Sequence, residues 1–179
     1  MRVTGGSARG HRLKRPPAGT RATSDLVRGA VFDALAAQGA DLSRVLDLYA
    51  GSGALGIEAL SRGARWCDFV EREATAAAVC KANLELVGLE ARGKVHRMKV
   101  ERAPERLKGP YTLVLADPPY SDDEASAALD LVAASRLLAP DATFVLEHSS
   151  RREAPERTGD LRLAWSRRYG DTQVSIYRA

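Results

Sequence analysis

The residues with the clearest chemical potential are Asp117, Pro118, Pro119 and Tyr120, which directly follow an apolar run over 111–116. The two prolines end that run abruptly, so we expect a buried strand whose carboxyl end opens into a stiff loop. This loop would present a carboxylate, backbone carbonyl oxygens and an aromatic ring. Such a set suits a flat molecule with an amino group, because the oxygens accept its N–H hydrogens and the ring stacks on its face. The alternative is a plain strand-to-helix turn, since Asp and Pro are ordinary turn residues.

A second group of residues is the glycine-rich segment 51–56, which follows a strand-like run over 45–50. Its spacing matches the dinucleotide fingerprint, and Glu71 ends the next apolar run. Glycines such as Gly51 and Gly53 would let a ligand approach the backbone, and a carboxylate at the tip of the second strand could accept both ribose hydroxyls. The pattern therefore predicts a cofactor that contains a nucleoside, either a nicotinamide dinucleotide or S-adenosylmethionine.

Asp47, four residues before Gly51, favours S-adenosylmethionine. A negative charge near the loop is unfavourable beside a pyrophosphate and favourable near a sulfonium or ammonium group. Asp47 could instead be a structural carboxylate that accepts hydrogen bonds from loop N–H groups, and the two roles are compatible.

The elements that must hold these groups alternate between strand and helix along most of the chain. The apolar pattern predicts strands over 45–50, 66–71, about 95–100, 111–116 and 142–147, with helices between them and a first helix capped by Thr23 or Ser24. Two further strand-like runs, 161–169 and 172–177, are separated only by Gly170-Asp171, which allows a hairpin but no crossover helix. The fold class is thus α/β, with a mostly parallel sheet and an antiparallel last strand. That last strand also departs from the all-parallel dinucleotide-binding sheet.

The net charge of +4 is unevenly distributed along the chain. Residues 1–28 carry a charge of +6 and the remainder carries −2. A basic segment on a mildly acidic body is typical of a nucleic-acid contact, although a solvated tail is the alternative. The candidate RNA-binding residues are Arg9, Arg12, Arg15, Arg21 and Arg28. We expect this segment to bind RNA without contributing to the cofactor pocket.

Glycines and prolines suggest how the amino-terminal segment is organised. Gly5, Gly6 and Gly10 predict a short hairpin, and Pro16-Pro17-Ala18-Gly19 predicts a linker after it. We therefore divide the chain into a basic hairpin arm over 1–22 and a main domain over 23–179.

The composition argues against several other classes of protein. No apolar run approaches the length of a membrane span, and the amino terminus lacks the apolar core of a signal peptide, so we expect a cytoplasmic protein without membrane association. The two cysteines and three histidines show no metal-ligand spacing, so we expect no metal.

Several segments together resemble a known family. The run from Asp47 to Gly53, combined with 117–120, resembles class I S-adenosylmethionine-dependent methyltransferases that act on exocyclic amines. More narrowly, Arg2–Gly6, Arg9-Gly10, Arg12-Leu13, Arg21 with Thr23-Ser24-Asp25, Val27-Arg28 and the run 54–63 resemble the RsmD family. That family methylates the N2 amine of a guanine in bacterial 16S ribosomal RNA.

The resemblance implies a Rossmann-like class I methyltransferase that uses S-adenosyl-L-methionine. The cofactor-binding residues it implies are Asp47, Ala50, Gly51, Gly53, Glu71, Arg72 and Val100. It also implies 16S rRNA or the small ribosomal subunit as the partner, and we expect a monomer. The third strand ends in Lys99-Val100 where the family often has an Asn-Ala or Asp-Ala pair near the adenine.

Three other activities fit parts of the same pattern. The proline loop would hold any planar amine, so adenine-N6 methylation of DNA or RNA and methylation of a protein glutamine are alternatives. A nicotinamide-dependent oxidoreductase would use the same glycine loop.

Overall fold

The computed structural model describes residues 1–15, 24–119 and 122–179, with the backbone alone at residue 122. The helices of this part are α1 (Asp25–Ala37), α2 (Ala54–Ser61), α3 (Ala74–Leu86), α4 (Ala103–Arg106) and α5 (Asp122–Ala133). Short 3₁₀ turns lie at Glu90–Arg92 and Val100–Arg102. The strands are β1 (Arg44–Leu48), β2 (Trp66–Glu71), β3 (Gly93–Arg97), β4 (Tyr111–Ala116), β5 (Leu138–Ser149), β6 (Arg157–Thr158), β7 (Leu161–Tyr169) and β8 (Thr172–Arg178).

The strands form a sheet in the order β3-β2-β1-β4-β5-β8-β7-β6. Pairing is parallel from β3 to β5 and antiparallel from β5 to β6. The turn between β7 and β8 is the predicted hairpin at Gly170-Asp171, because Tyr169 pairs with Thr172. The predicted fold class, a mostly parallel α/β sheet ending in antiparallel strands, is confirmed.

β3 and β5 differ most from their predicted bounds. β3 ends at Arg97, opposite the last residue of β2, and Val100 lies in a 3₁₀ turn instead of the strand. β5 begins at Leu138, because this residue pairs with Tyr111 across a register shift that the apolar pattern does not reveal. β2 and β4 have the bounds that the sequence predicts.

The central strands are buried on both faces, which explains their nearly continuous apolar sequences. One core packs beneath α1, α2 and α3 and includes Phe32, Leu35, Ile57, Leu60 and Phe69. The other packs beneath α4 and α5 and includes Leu46, Val114, Leu129, Phe144 and Tyr177. Because helices cover both faces of the sheet, loops can form a site at the carboxyl edge of the parallel strands.

The amino-terminal segment forms the predicted short hairpin and belongs to the first of these cores. Arg2 and Arg12 form a β-bridge, and the Val3 N–H donates to the His11 carbonyl oxygen at 3.0 Å. Val3 and Leu13 are buried against the helical core. The linker at 16–19, Arg21, Thr23 and the boundary between the two units lie outside the described residues.

Ser24 is the amino-terminal cap of α1. Its Oγ accepts the Val27 N–H at 3.2 Å, which satisfies one of the unpaired N–H groups of the first helical turn. This confirms the predicted position at which the first helix begins.

Glu58 on α2 connects the hairpin to the helices. Its buried carboxylate accepts the Thr4 N–H at 2.8 Å, the Thr4 hydroxyl at 2.6 Å and the Gly5 N–H at 2.8 Å. Arg28 and Arg62 complete its surroundings, with their Nε atoms at 3.2 Å and 2.8 Å. Burial alone would raise the pKa of Glu58, but these hydrogen bonds and cations outweigh it and hold the pKa below its ordinary value.

The prediction that Arg28 binds RNA is wrong. Its side chain has no exposed surface and forms ion pairs with Glu58 and, at 2.8 Å, with Asp25. It also donates to the Arg2 carbonyl oxygen. Arg28 therefore compensates the buried negative charge of Glu58 and cannot present its guanidinium to a phosphate.

We predict that Glu58→Gln lowers the free energy of unfolding by about 3–5 kcal/mol, because it removes the buried carboxylate partner of Arg28 and leaves the ion pair with the partly exposed Asp25. Urea denaturation followed by circular dichroism measures this loss. Glu85→Gln, at an exposed position of α3, is the matched control and should change the value by less than about 0.5 kcal/mol. Equal effects of the two substitutions would contradict the role assigned to Glu58.

Candidate active site

The two predicted functional loops leave the sheet side by side. β1 and β4 are parallel neighbours, and Leu48 at the end of β1 pairs with Ala116 at the end of β4. The chain proceeds from β1 to β2 and β3 on one side and returns to β4 on the other. This reversal is the topological switch point, the crevice at which open α/β sheets bind ligands.

The glycines after β1 have different roles. Gly51 has a φ of 54°, and a Cβ placed on it would meet only the Tyr49 carbonyl oxygen, at 3.9 Å. A Cβ on Gly53 would lie 2.5 Å from the Cys80 sulfur, and one on Gly56 would lie 2.3 Å from the Phe69 ring. Gly51 therefore leaves open space for a ligand. Gly53 and Gly56 allow close packing of α2 against α3 and β2, so the expectation that these glycines alike make room for a ligand holds only at Gly51.

Glu71 lies at the tip of β2, the position from which a carboxylate could accept the ribose hydroxyls. It ends β2 and is largely buried, and its two oxygens accept the N–H groups of Gly51 and Glu73, each at 2.8 Å. Each carboxylate oxygen has a further lone pair that can accept a hydrogen bond. The side chain is thus held rigidly beside the glycine loop and retains the capacity to accept two ribose hydroxyls.

Asp47 lies beneath the loop, not at its surface. It is 1% exposed, and its Oδ2 accepts the Gly56 N–H at 2.8 Å, which is the structural role that the sequence allowed. Its Oδ1 is buried and has no hydrogen-bond partner among the described residues. Burial raises the pKa of Asp47 to about 7 against the opposing Gly56 hydrogen bond, and the nearby charge of Glu71 raises it further. A cation bound above the loop would favour the ionised form, so the site suits a sulfonium or ammonium group.

The remaining cofactor candidates lie around this edge. Ala50 is buried, and its N–H donates to the Val70 carbonyl oxygen at 3.0 Å. Val100 is buried just after β3. Arg72 is exposed, with its Nε 3.5 Å from a carboxylate oxygen of Glu73, and its role as a cofactor contact stays a prediction.

Tyr49 is a further candidate site residue, which the sequence analysis does not single out. It has a φ of 58°, a left-handed conformation that is uncommon for a non-glycine residue. Burial, followed by the negative charges of Glu101 and Glu124, raises the pKa of Tyr49 to about 12. An unusual backbone conformation within a ligand loop is typical of functional sites, and the position of Tyr49 inside the motif was the available signal.

The proline loop begins at the carboxyl end of β4, as predicted. Asp117 is partly buried, Pro118 is buried and Pro119 is exposed. Tyr120, the predicted stacking residue, lies outside the described residues. The structure therefore brings Asp117 to the same edge as Gly51 and Glu71.

Asn83 on α3 is a second residue that sequence reasoning missed. It is fully buried, its Oδ1 accepts the Lys14 N–H at 2.8 Å, and its Nδ2 donates to the carbonyl oxygens of Lys14 and Ser52 at 3.0 and 2.9 Å. Met1 also contacts the loop, with its sulfur 3.7 Å from the Ser52 hydroxyl. The hairpin backbone is thus joined to the glycine loop, whereas the expectation that its basic side chains do not contribute to the cofactor pocket stays a prediction.

The basic side chains of the hairpin face solvent. Arg9, Arg12 and Arg15 are exposed, as is Lys14, whose backbone is held by Asn83. Arg21 lies outside the described residues. An exposed cluster of cations is available here for phosphate contacts.

The described ranges contain neither a membrane-spanning helix nor a cluster of metal-ligating side chains. No helix there has the length and apolar character needed to cross a bilayer. No group of three or more His, Cys, Asp or Glu side chains there could hold a metal ion.

Comparisons with known proteins agree with this geometry. A family model described as "Conserved hypothetical protein 95" matches residues 1–178. A Bacillus subtilis (strain 168) protein named "Putative rRNA methyltransferase YlbH" is 39% identical over 99% of this chain and 98% of its own. The Escherichia coli (strain K12) "Ribosomal RNA small subunit methyltransferase D" is 29% identical over 99% of this chain and 89% of its own.

The solved structures show the same relationship. The structure titled "Putative methyltransferase yhhF from Escherichia coli" superposes with a TM-score of 0.86, covering 99% of this chain and 97% of that chain at 26% identity. The fold is thus the Rossmann-like fold of class I methyltransferases. The chain therefore belongs to the Conserved hypothetical protein 95 family, the RsmD family that its sequence motifs resemble.

Proposed function

We propose that this protein transfers a methyl group from S-adenosylmethionine to the exocyclic N2 amine of a guanine in 16S rRNA, in the small ribosomal subunit or its assembly intermediate. S-adenosylmethionine-dependent rRNA methylation is the activity class that the family and its named members support. The observation that carries the proposal is the position of Asp117 next to the glycine loop across the β1–β4 switch point. The choice of guanine as the base and of N2 as the methylated atom is more specific than this activity class.

The site residues fit S-adenosylmethionine. Glu71 would accept the ribose hydroxyls, the open side of Gly51 would admit the ligand, and the charge of Asp47 would favour its cationic groups. When bound there, this cofactor supplies an electrophilic methyl group on its sulfonium.

Asp117 would act on the second reactant, the guanine amine. The lone pair of a guanine amine is delocalised into the ring, so the amine is a poor nucleophile. Asp117 and the Pro118 carbonyl would accept its N–H hydrogens, which orients the nitrogen and draws it toward tetrahedral geometry. Transfer would form the nitrogen–carbon bond as the sulfur–carbon bond of the cofactor breaks, and the amine would lose one proton, for which the Asp117 carboxylate is the proposed acceptor. Catalysis by this loop is mainly positioning with electrostatic support.

The RNA must present an unpaired base to this edge. A base inside a helix cannot reach Asp117, so the nucleotide is extruded or already unpaired, and Tyr120 is proposed to stack on it. The exposed cations at Arg9, Arg12 and Arg15 would neutralise phosphates nearby. This cationic hairpin favours a nucleic acid over a protein glutamine as the substrate.

For the cofactor, we predict that Glu71→Ala weakens S-adenosylmethionine binding by about 1.5–3 kcal/mol, the range for a hydrogen bond to a charged group. Isothermal titration calorimetry measures the affinity. Glu73→Ala, which removes an exposed carboxylate two residues away, is the control and should leave binding within about twofold. An unchanged affinity in a folded Glu71→Ala protein would remove Glu71 from the site.

For the RNA, we predict that replacing Arg9, Arg12 and Arg15 together by Gln lowers the affinity and flattens its salt dependence. Loss of three phosphate contacts should reduce the slope of log K against log salt by about 2 to 3. Filter binding at several salt concentrations measures the slope, and cofactor affinity should persist.

The matched control replaces Arg65, Lys94 and Arg136, three exposed cations at the amino-terminal edge of the sheet. The overall change in charge is the same in both triple variants. If both gave the same slope, the hairpin would have no specific role in RNA binding.

For catalysis, we predict that Asp117→Asn and Asp117→Ala each slow methyl transfer by about 10²- to 10³-fold, as expected for the loss of one preorganised stabilising group. Asn keeps one acceptor but places a donor toward the amine hydrogens. Single-turnover transfer at saturating cofactor and RNA measures the chemical step without product release.

Asp123→Asn removes an exposed carboxylate at the start of α5 and serves as the control. It should leave the single-turnover rate unchanged. Parent-like rates in both Asp117 variants would reduce Asp117 to a turn residue.

A further inference from the structure

A cavity of about 250 Å³ lies between α5, the carboxyl end of β5 and the segment that follows it. Its apolar walls are formed by Ala125, Leu129, Leu146 and Pro155. Pockets for drug-sized ligands span roughly 300–1,000 Å³, so this cavity is too small for a whole cofactor. Its size and walls suit one flat ring system.

Polar side chains also line the cavity. His148 is one of them, and its Nε2 is 2.9 Å from the hydroxyl of the buried Ser175, which is itself 3.1 Å from the Ser166 hydroxyl. Arg152 and Glu153 are exposed and also line the cavity. A fixed imidazole, a carboxylate and a guanidinium around an apolar slot can recognise the edge of a nucleobase and its phosphate.

The cavity lies beside the proposed catalytic loop. Ala116, the last residue of β4, pairs with Leu146 of β5, which lines the cavity together with His148 two residues further along the same strand. α5 begins directly after this loop. The cofactor candidates Gly51 and Glu71 lie on the opposite side of Asp117, toward β1 and β2. A base held by Asp117 would therefore have the cofactor on one side and the cavity on the other.

We propose that this cavity binds the base of a nucleotide next to the methylated one, and so selects the RNA context of the target. This inference rests on the proposed RNA methyltransferase function. The apolar walls would cover the faces of the base, Glu153 would accept its N–H groups, and Arg152 would contact a phosphate. No bond is made or broken in the cavity, so its occupant contributes to binding and not to the chemical step.

Ser126→Trp tests the proposal by filling the cavity from the helix surface. Ser126 is exposed and lines the cavity, whereas Ala127 is exposed on the same helix and does not, so Ala127→Trp is the matched control. With 16S rRNA or small-subunit particles as the substrate, Ser126→Trp should raise the KM for RNA about tenfold, comparable to the loss of one stacked base. The rate at saturating RNA, the cofactor affinity and the melting temperature should stay near those of the parent and of the control.

A second pair of variants separates the cavity from general surface charge. Arg152 lines the cavity and its neighbour Arg151 does not, although both are exposed. Arg152→Gln should raise the KM for RNA several-fold more than Arg151→Gln does. Equal effects would show that charge alone matters here and would remove Arg152 from the site.

Other outcomes overturn the inference in distinguishable ways. An unchanged KM in Ser126→Trp would mean that no base enters the cavity. Loss of the rate at saturating RNA would assign the cavity to the methylated base itself, not its neighbour. If the parent protein failed to methylate RNA at all, the proposed function would fail first, and the cavity inference would fail with it.

Discussion

One buried carboxylate, that of Glu58, holds together the parts on which the proposed activity depends. Taking this charge out of water is costly, and five donors from the hairpin, α1 and α2 compensate it. Because α2 begins immediately after Gly53, fixing this helix also fixes the end of the cofactor loop. Because Thr4 and Gly5 belong to the hairpin, the same interaction orients the basic surface. The hydrogen bonds of Glu58 thus hold the hairpin in a fixed position relative to α2 and the glycine loop.

Asn83 makes a second connection between the hairpin and the glycine loop. Its amide binds the backbone of Lys14 and the carbonyl oxygen of Ser52 together, so the hairpin and the glycine loop share one rigid support. The exposed cations before and after Lys14 are therefore held at a set distance from Gly51. An RNA bound to them would be placed relative to the cofactor edge before any base reached Asp117. RNA binding and methyl transfer would then both depend on how Asn83 packs between the hairpin and the glycine loop.

The sequence predicts the local features of this fold well and its long-range contacts poorly. Continuous apolar runs bounded by charges or prolines define β2 and β4 to the residue, and the Gly170-Asp171 turn defines the last hairpin. Arg28 was misassigned because its partner Glu58 is 30 residues away and only the folded chain brings them together. Asn83 was missed for the same reason, since its partners lie 69 and 31 residues away. The spacing of the glycines matches a ligand-binding motif. At Gly53, however, a side chain is excluded by Cys80 on α3, a contact that the spacing does not reveal.

The central claim is that the loop at Asp117 presents a guanine amine to the methyl group of S-adenosylmethionine. The most direct measurement incubates the protein with labelled cofactor and undermethylated small-subunit particles, digests the 16S rRNA and identifies the modified nucleoside by mass spectrometry. The account predicts N2-methylguanosine at one position, formed by the parent protein and greatly reduced with Asp117→Ala. Label on adenine N6, on a ribosomal protein glutamine, or on guanine to the same extent with Asp117→Ala would contradict it.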